Sequence, residues 1–214
     1  MTNSVRHPFW QITEKKDLPQ ILVAGGASFL GAALATKLLP QDISVVCLDN
    51  LATGKKENLG KLMSPPHFSF LEHDLTQPLP PGLSPDYIFH LAGLEEYLSG
   101  RDLTLETLLV NSLGTRNLLE LSRKTGAKFL LASSLEVYSG LLSSTKIPDN
   151  FTERGKAFSH HEAKRYAEAL VAEYASRFNL NCRIVRLLNI YGPKMNLAVG
   201  GEISQLLKEA KEEG

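Results

Sequence analysis

Cysteine is scarce in this 214-residue chain: only Cys47 and Cys182 are present. Both fall in apolar, strand-like runs. They read as two buried free thiols of a reducing compartment, not as a disulfide framework or a metal pair. Long apolar runs are missing too, and none approaches the roughly 18–20 residues that a membrane-spanning helix needs. The N-terminal MTNSVRHPFWQITEKKDLPQ is without the apolar core of a secretory signal, and residues 1–19 read as a polar extension. Net charge is absent, with 23 Lys plus Arg against 23 Asp plus Glu, so no electrostatic footprint points to nucleic acid or an anionic membrane. The cytoplasm is the expected compartment. Three catalytic signatures are missing as well. No G-K-[ST] closes a P-loop and no G-x-S-x-G elbow presents a serine nucleophile. A zinc helix beginning at His161-Glu162 would need a histidine at position 165, which is Arg165.

What is present is an alternation of strand-like and helical patterns. Apolar runs at 21–24, 43–48, 68–72, 87–91, 128–132 and 182–188 read as six strands. Helices are expected from Phe29 to near Leu39, over Lys55–Leu62, over Leu103–Lys124, over His160–Phe178 and from Ile203 onward. In the third of these, Leu105, Leu108, Leu109, Leu113 and Leu118 form an apolar stripe, and Gly126 is placed to stop it. Ala163, Ala167, Leu170, Val171 and Tyr174 mark one side of the fourth. Four prolines between Gln77 and Asp86 predict a loop, and Ser139–Gly155 is turn-rich. This order predicts a doubly wound parallel sheet covered by helices on both faces, a three-layer α/β domain over residues 20–214. Ligands of such sheets sit beyond the C-terminal strand ends, which directs attention to Gly25–Ser28, Asp49, Asp74, Ala92, Ser134 and Asn189.

The stretch ILVAGGASFLG, Ile21 to Gly31, is a strand, a glycine turn and a helix start. That arrangement sets a phosphate against free N–H groups and the positive end of a helix dipole. Asp49 follows the second strand, 18 residues after Gly31, where a carboxylate can accept both hydroxyls of an adenosine ribose and would repel a 2′-phosphate. Its alternative role is a loop aspartate that starts a turn. Asp74, after the third strand, is either an acceptor for an adenine amino group or a turn cap. Ser134 ends the fifth strand two residues before Glu136, and His160 and Lys164, four apart, share a helix face. A hydroxyl, a titratable ring and a lysine facing one nicotinamide can move a proton and a hydride together, although His160 and Lys164 also suit a solvated helix face.

With these pieces in order, the chain resembles the extended short-chain dehydrogenase/reductases that act on nucleotide sugars: epimerases, dehydratases and decarboxylases. GGASFLG resembles the family's GGAGFIG turn, and VVCLDNLATGKKENL its second-strand segment. EHDLTQPL resembles the adenine-side stretch, FHLAG the HLA-A/G run, and VNSLGTRNLLE the N-x-x-G-T helix. LASSLEVYSG resembles S-[ST]-x-x-V-Y-G, and RLLNIYGPKM resembles R-x-x-N-x-Y-G-P-R. The S-T-S-E-V-Y-G pattern of the UDP-glucuronate decarboxylases places Ser134 and Glu136 at its hydroxyl and glutamate positions. Leu135 stands where the dehydratases carry an acid.

The resemblance implies NAD as cofactor. Gly25, Ser28, Phe29, Leu30 and Gly31 would form the phosphate turn, and Asp49 and Asn50 would hold ribose. Asp74 and Leu75 would lie on the adenine side, with Leu91, Ala92, Gly93, Asn111 and Lys164 completing the cofactor site. It implies a catalytic set of Ser134, Glu136, His160 and Lys164, with Ser134 and Asn189 contacting a UDP-sugar or another nucleotide sugar. It also implies a homodimer formed through the two long helices.

Four departures qualify what the resemblance implies. The family's catalytic Y-x-x-x-K is His160-His161-Glu162-Ala163-Lys164 here, so the lysine is present and the tyrosine is not. Ser28 replaces the middle glycine of the turn, and Ser139 replaces the glycine after Tyr138. The family's smaller C-terminal substrate lobe is expected to be missing or truncated. Two readings of different class follow. One is an NAD-dependent enzyme, decarboxylase-like or 4-epimerase-like, that oxidises the sugar at C4. The other is a catalytically impaired relative that binds NAD or a nucleotide sugar as a sensor, scaffold or subunit partner.

Overall fold

A computed structural model describes residues 18–93, 103–138, 155–188, 190–192, 195 and 201–212. The expected site residue Asn189 and the Ser139 departure lie outside them, as does most of the loop expected between Ser139 and Gly155.

The elements run β1 (Gln20–Ala24), α1 (Phe29–Leu38), β2 (Ser44–Asp49), a 3-10 segment (Lys56–Met63), β3 (Phe68–Glu72) and β4 (Tyr87–His90). After these come α2 (Thr104–Leu109), a π-helical turn (Val110–Gly114), α3 (Thr115–Thr125), β5 (Lys128–Ser134) and a 3-10 turn (Leu135–Tyr138). The last elements are α4 (Gly155–Phe178), β6 (Cys182–Leu187) and α5 (Gly201–Glu212). The six strands form one parallel sheet in the order β3-β2-β1-β4-β5-β6. This is the expected three-layer Rossmann arrangement.

Alternation along each strand explains the layers. Leu22, Ala24, Val46, Leu48, Ile88, Phe129 and Leu131 face one way, against Leu118 and Leu119 of α3 and Ala167 and Val171 of α4. Ile21, Val23, Val45 and Cys47 face the other way, against Ala32 and Ala35 of α1 and Leu59. Each large side chain withdrawn from water in this way contributes roughly 1.5–3 kcal/mol. On β6 the apolar cover is thinner, with Ile184 and Val185 exposed on successive positions. Cys47 lies on β2 and Cys182 on β6, with β1, β4 and β5 between them, a separation that no disulfide spans. Burial pushes the Cys47 thiol up to about 12, helped by the negative charge of Asp49. No helix among the described residues is long and apolar enough to cross a membrane.

The helix expected over Leu103–Lys124 is interrupted, and its buried face is not the leucine stripe. Leu105, Leu108 and Leu113 are exposed. The side toward the sheet instead carries Thr107, Val110, Asn111, Gly114, Thr115, Leu118, Leu119 and Ser122. These residues are small, or they satisfy one another. Asn111 Nδ2 donates to the Thr107 carbonyl, Thr115 Oγ1 to the Asn111 carbonyl, and Ser122 Oγ to the Ala127 carbonyl. The helix can therefore sit close to the strands. A Cβ on Gly114 would already stand 3.1 Å from the Leu75 Cβ. The π-helical turn at this contact is the kind of local rewinding that accompanies such a fit.

Candidate active site

The chain leaves β1 toward β2 and β3, then crosses back to β4 on the other side of β1. The crevice between β1 and β4 is therefore the switch point where a parallel sheet receives its ligand. Gly25 makes this opening. Its φ is +83°, a conformation that side chains avoid, and a Cβ there would lie 2.7 Å from the Ala92 nitrogen. Gly31 has no such φ, but a Cβ on it would stand 2.2 Å from the Gly25 carbonyl oxygen. The resulting crevice encloses about 720 Å³, mouth included.

Gly25, Ser28, Asp49, Asn50, Asp74, Leu75, Leu91, Ala92 and Gly93 line it, as does a set the sequence reading did not single out: His73, Glu106 and Val110. His73 could have been found from its place directly after β3, one residue before Asp74. Glu106 gave no signal, because it comes from a helix distant in sequence. Phe29, Leu30 and Gly31 form the first residues of α1 behind the turn and not the wall. Asn111 is fully buried, with its amide bound to its own helix, and is not in the wall either.

Ser28 is the N-cap of α1. Its Oγ accepts from the Gly31 N–H at 3.0 Å and donates to the Gly25 carbonyl at 2.7 Å. The hydroxyl is thus committed to the turn and takes up one of the N–H groups that a phosphate would otherwise use. Asp49, 8% exposed, accepts the Ala27 N–H on one oxygen and the Leu51 N–H on the other. Burial raises its carboxyl above the usual carboxylate value, and the two N–H donors oppose the rise. Asp74 Oδ1 accepts both the amide and the hydroxyl of Thr76, so the turn-capping alternative is realised on a residue that also lines the crevice.

Beyond Gly93 the second group assembles. The Lys164 side chain, 6% exposed, donates to the Ala132 carbonyl at 3.2 Å, and its Nζ lies 2.5 Å from where a Gly93 Cβ would be. Ser134, last in β5, accepts the Glu136 N–H at 3.2 Å and so caps the 3-10 turn. That turn aims Glu136 at α4, where its Oε2 lies 3.3 Å from His160 Nε2. His160 is 4% exposed, whereas Tyr166, six residues on, is 55% exposed. Ser134, Glu136, His160 and Lys164 therefore gather at the C-terminal ends of β4 and β5. The arrangement offers a buried histidine paired with a partly exposed carboxylate, and a buried lysine, next to the switch-point crevice.

Comparison with known proteins finds relatives by sequence and by fold. The model of the "NAD dependent epimerase/dehydratase family" matches residues 21–214. UDP-glucuronic acid decarboxylase 3 of Arabidopsis thaliana is 36% identical over 195 residues, covering 89% of this chain and 56% of its own length. The chain thus spans about half the length of the curated relatives it matches. Among solved structures, UDP-glucose 4-epimerase of Thermotoga maritima with UDP-glucose superposes with a TM-score of 0.71 at 26% identity, over 89% of this chain and 62% of that one. UDP-glucuronic acid 4-epimerase of Bacillus cereus in complex with NAD gives 0.68 at 25%, over 84% and 60%.

Proposed function

Since this chain belongs to the NAD dependent epimerase/dehydratase family, we propose that it binds NAD in the switch-point crevice and oxidises a nucleotide sugar, most like a UDP-sugar, at C4. The observation that carries the reading is the His160–Glu136 pair, 3.3 Å apart and one strand end away from the crevice. The crevice fits the cofactor. Gly25 leaves room for a backbone-hugging diphosphate, the N-terminus of α1 favours its charge, and Asp49 stands at the ribose position. The described wall carries Asp49, Asp74 and Glu106 and no lysine or arginine, which favours NAD over its 2′-phosphorylated form. NAD supplies the hydride acceptor.

The protein's own residues handle the proton. The His160–Glu136 pair takes it from the sugar 4-hydroxyl and returns it. Ser134 orients that hydroxyl, and Lys164 holds the nicotinamide ribose near Gly93. An imidazole can take a proton on one ring nitrogen while the other stays bonded, which suits this role. The binding-only reading keeps one specific support: His160 replaces the tyrosine of the family pattern and already spends Nε2 on Glu136.

His160→Tyr distinguishes the two readings. Turnover of UDP-glucuronate or UDP-glucose, followed by sugar-nucleotide chromatography, should rise substantially over wild type. NAD bound by both proteins with no turnover in either would leave only the binding role.

Ser28→Gly should tighten NAD about 5-fold by calorimetry. It frees the Gly31 N–H for phosphate, a net gain of about 1 kcal/mol, while glycine at an N-cap costs only a few tenths. Unchanged or weaker binding would refute the competition between cap and phosphate.

The exposed Leu105, Leu108, Leu113 and Tyr166 support a homodimer through α2, the π-helical turn and α4. Sedimentation equilibrium should report twice the chain mass, falling to one chain mass in Leu108→Asp.

A further inference from the structure

One titratable ring beside the catalytic pair is left unused by the proposed chemistry. Glu136 Oε2 lies 3.3 Å from His160 Nε2 and 3.8 Å from Nε2 of the next residue, His161. The two rings meet edge-on, with centroids 6.4 Å apart and planes at 79°. Exposure grades through the trio: the His160 side chain is 4% exposed, His161 19% and Glu136 40%.

We propose that His161 is the proton outlet of the His160–Glu136 pair. A proton taken up by the pair passes from Glu136 Oε2 to His161 Nε2, and His161 releases a proton to water from its other ring nitrogen. The return stroke reverses both transfers, so no charge accumulates. The proposal rests on the reading of His160 and Glu136 as the acid–base pair. Its physical ground is the carboxylate oxygen that both rings share, Glu136 Oε2. A ring at 4% exposure meets almost no water, whereas His161 reaches it at 19% exposure and Glu136, at 40%, on its open side. A sugar seated over Glu136 would close the open side of that carboxylate and leave His161 as the way out. The 3.8 Å gap is an ion-pair distance, slightly beyond a hydrogen bond, so a small swing of the ring or one bridging water completes the transfer.

The other charged side chains described around the trio have engagements of their own. On α4, Arg165 pairs with Glu162 and donates to the Val137 carbonyl at 2.7 Å, and Lys164 donates to the Ala132 carbonyl. From β6, Arg186 binds Glu168 and the Tyr138 hydroxyl.

Ring-resolved NMR titration of the histidines tests the coupling without any turnover. Glu136→Gln should shift the ring resonances of both His160 and His161, because both lose the carboxylate oxygen they share. His161→Asn should also move His160. A Glu136→Gln protein in which only one ring moves overturns the proposal.

Rate measurements give the second readout. His161→Asn should slow reduction of bound NAD by a UDP-sugar about tenfold with KM unchanged, less than the 10²–10⁴ of a directly placed acid–base group. Added imidazole should restore the rate. An unaltered rate in His161→Asn overturns the outlet even if the rings are coupled. Coupled rings with no NAD reduction in any variant, wild type included, would instead overturn the catalytic reading and leave the proton-sharing trio supported.

Discussion

Gly31→Ala is expected to weaken NAD binding about 100-fold, the scale of a backbone misplacement near 1 Å at a ligand-positioning element. The added Cβ would stand 2.2 Å from the Gly25 carbonyl oxygen and 2.8 Å from the Gly26 Cα. Both neighbours are backbone, so no side chain can swing aside to make room. The turn must open, and with it the N-cap in which Ser28 bonds both Gly25 and Gly31. Alanine is the better helix former by about 1 kcal/mol, which offsets part of the cost. Overpacking of this kind costs about 1–3 kcal/mol, so the net loss of stability should be modest beside the loss of binding. Calorimetric titration with NAD and urea unfolding separate the two effects. Gly60→Ala is the control, because nothing lies within 4 Å of a Cβ there. Wild-type affinity in Gly31→Ala would show that the diphosphate sits elsewhere.

The second large effect is a loss of stability in acid that His90 governs. His90 ends β4 and is fully buried. Because Thr115 Oγ1 donates to the Asn111 carbonyl, it accepts from His90, and this fixes the imidazole proton on Nε2. Burial, reinforced by the positive charge of Lys164, pushes the imidazole down from an ordinary 6.5 to about 3. Between those values the unfolded chain binds a proton that the folded chain refuses, so stability rises with pH across that window. The contribution is fully present above 6.5 and is lost as pH falls toward 3, at about 1.4 kcal/mol per pH unit. Asp49 works the other way. Its carboxyl is raised, so its contribution is present below the ordinary carboxylate value and declines as pH climbs through the raised one.

Urea midpoints measured from pH 7 to 4 should therefore fall in wild type and fall less in His90→Gln, whose amide can still donate to Thr115 but takes no proton. Parallel curves for the two proteins would remove His90 from the acid limb.

The centre of the sheet was legible because β1 and β2 are buried on both faces. ILVA and VVCL are unbroken apolar runs, and a parallel sheet between helices requires such runs. The glycine turn was legible for a steric reason that sits within a few residues. The face of the α2–α3 stretch was not. Hydrophobic periodicity assumes that buried means apolar, whereas Thr107, Asn111, Thr115 and Ser122 are buried, and the last three donate to nearby backbone carbonyls. The leucines beside them misled the count. In the sequence Ser28 is only a departure from the glycine pattern; its role as cap emerges from the turn geometry. The pairing of Glu136 with His160 and His161 joins two elements far apart in sequence, and no spacing rule reaches across that.

Asp49 bears on any attempt to redesign cofactor preference. The usual move, removing the acid to admit a 2′-phosphate, would here cut a tether as well. One carboxylate oxygen holds Ala27 in the phosphate turn, and the other holds Leu51 in the following loop, where φ is +58°. A Cβ on Gly54 would lie within 3 Å of both oxygens, so the loop is closed tightly around the acid. Under the proposed function, cofactor choice and the shape of the binding crevice rest on the same side chain, and a change of one has to rebuild the other.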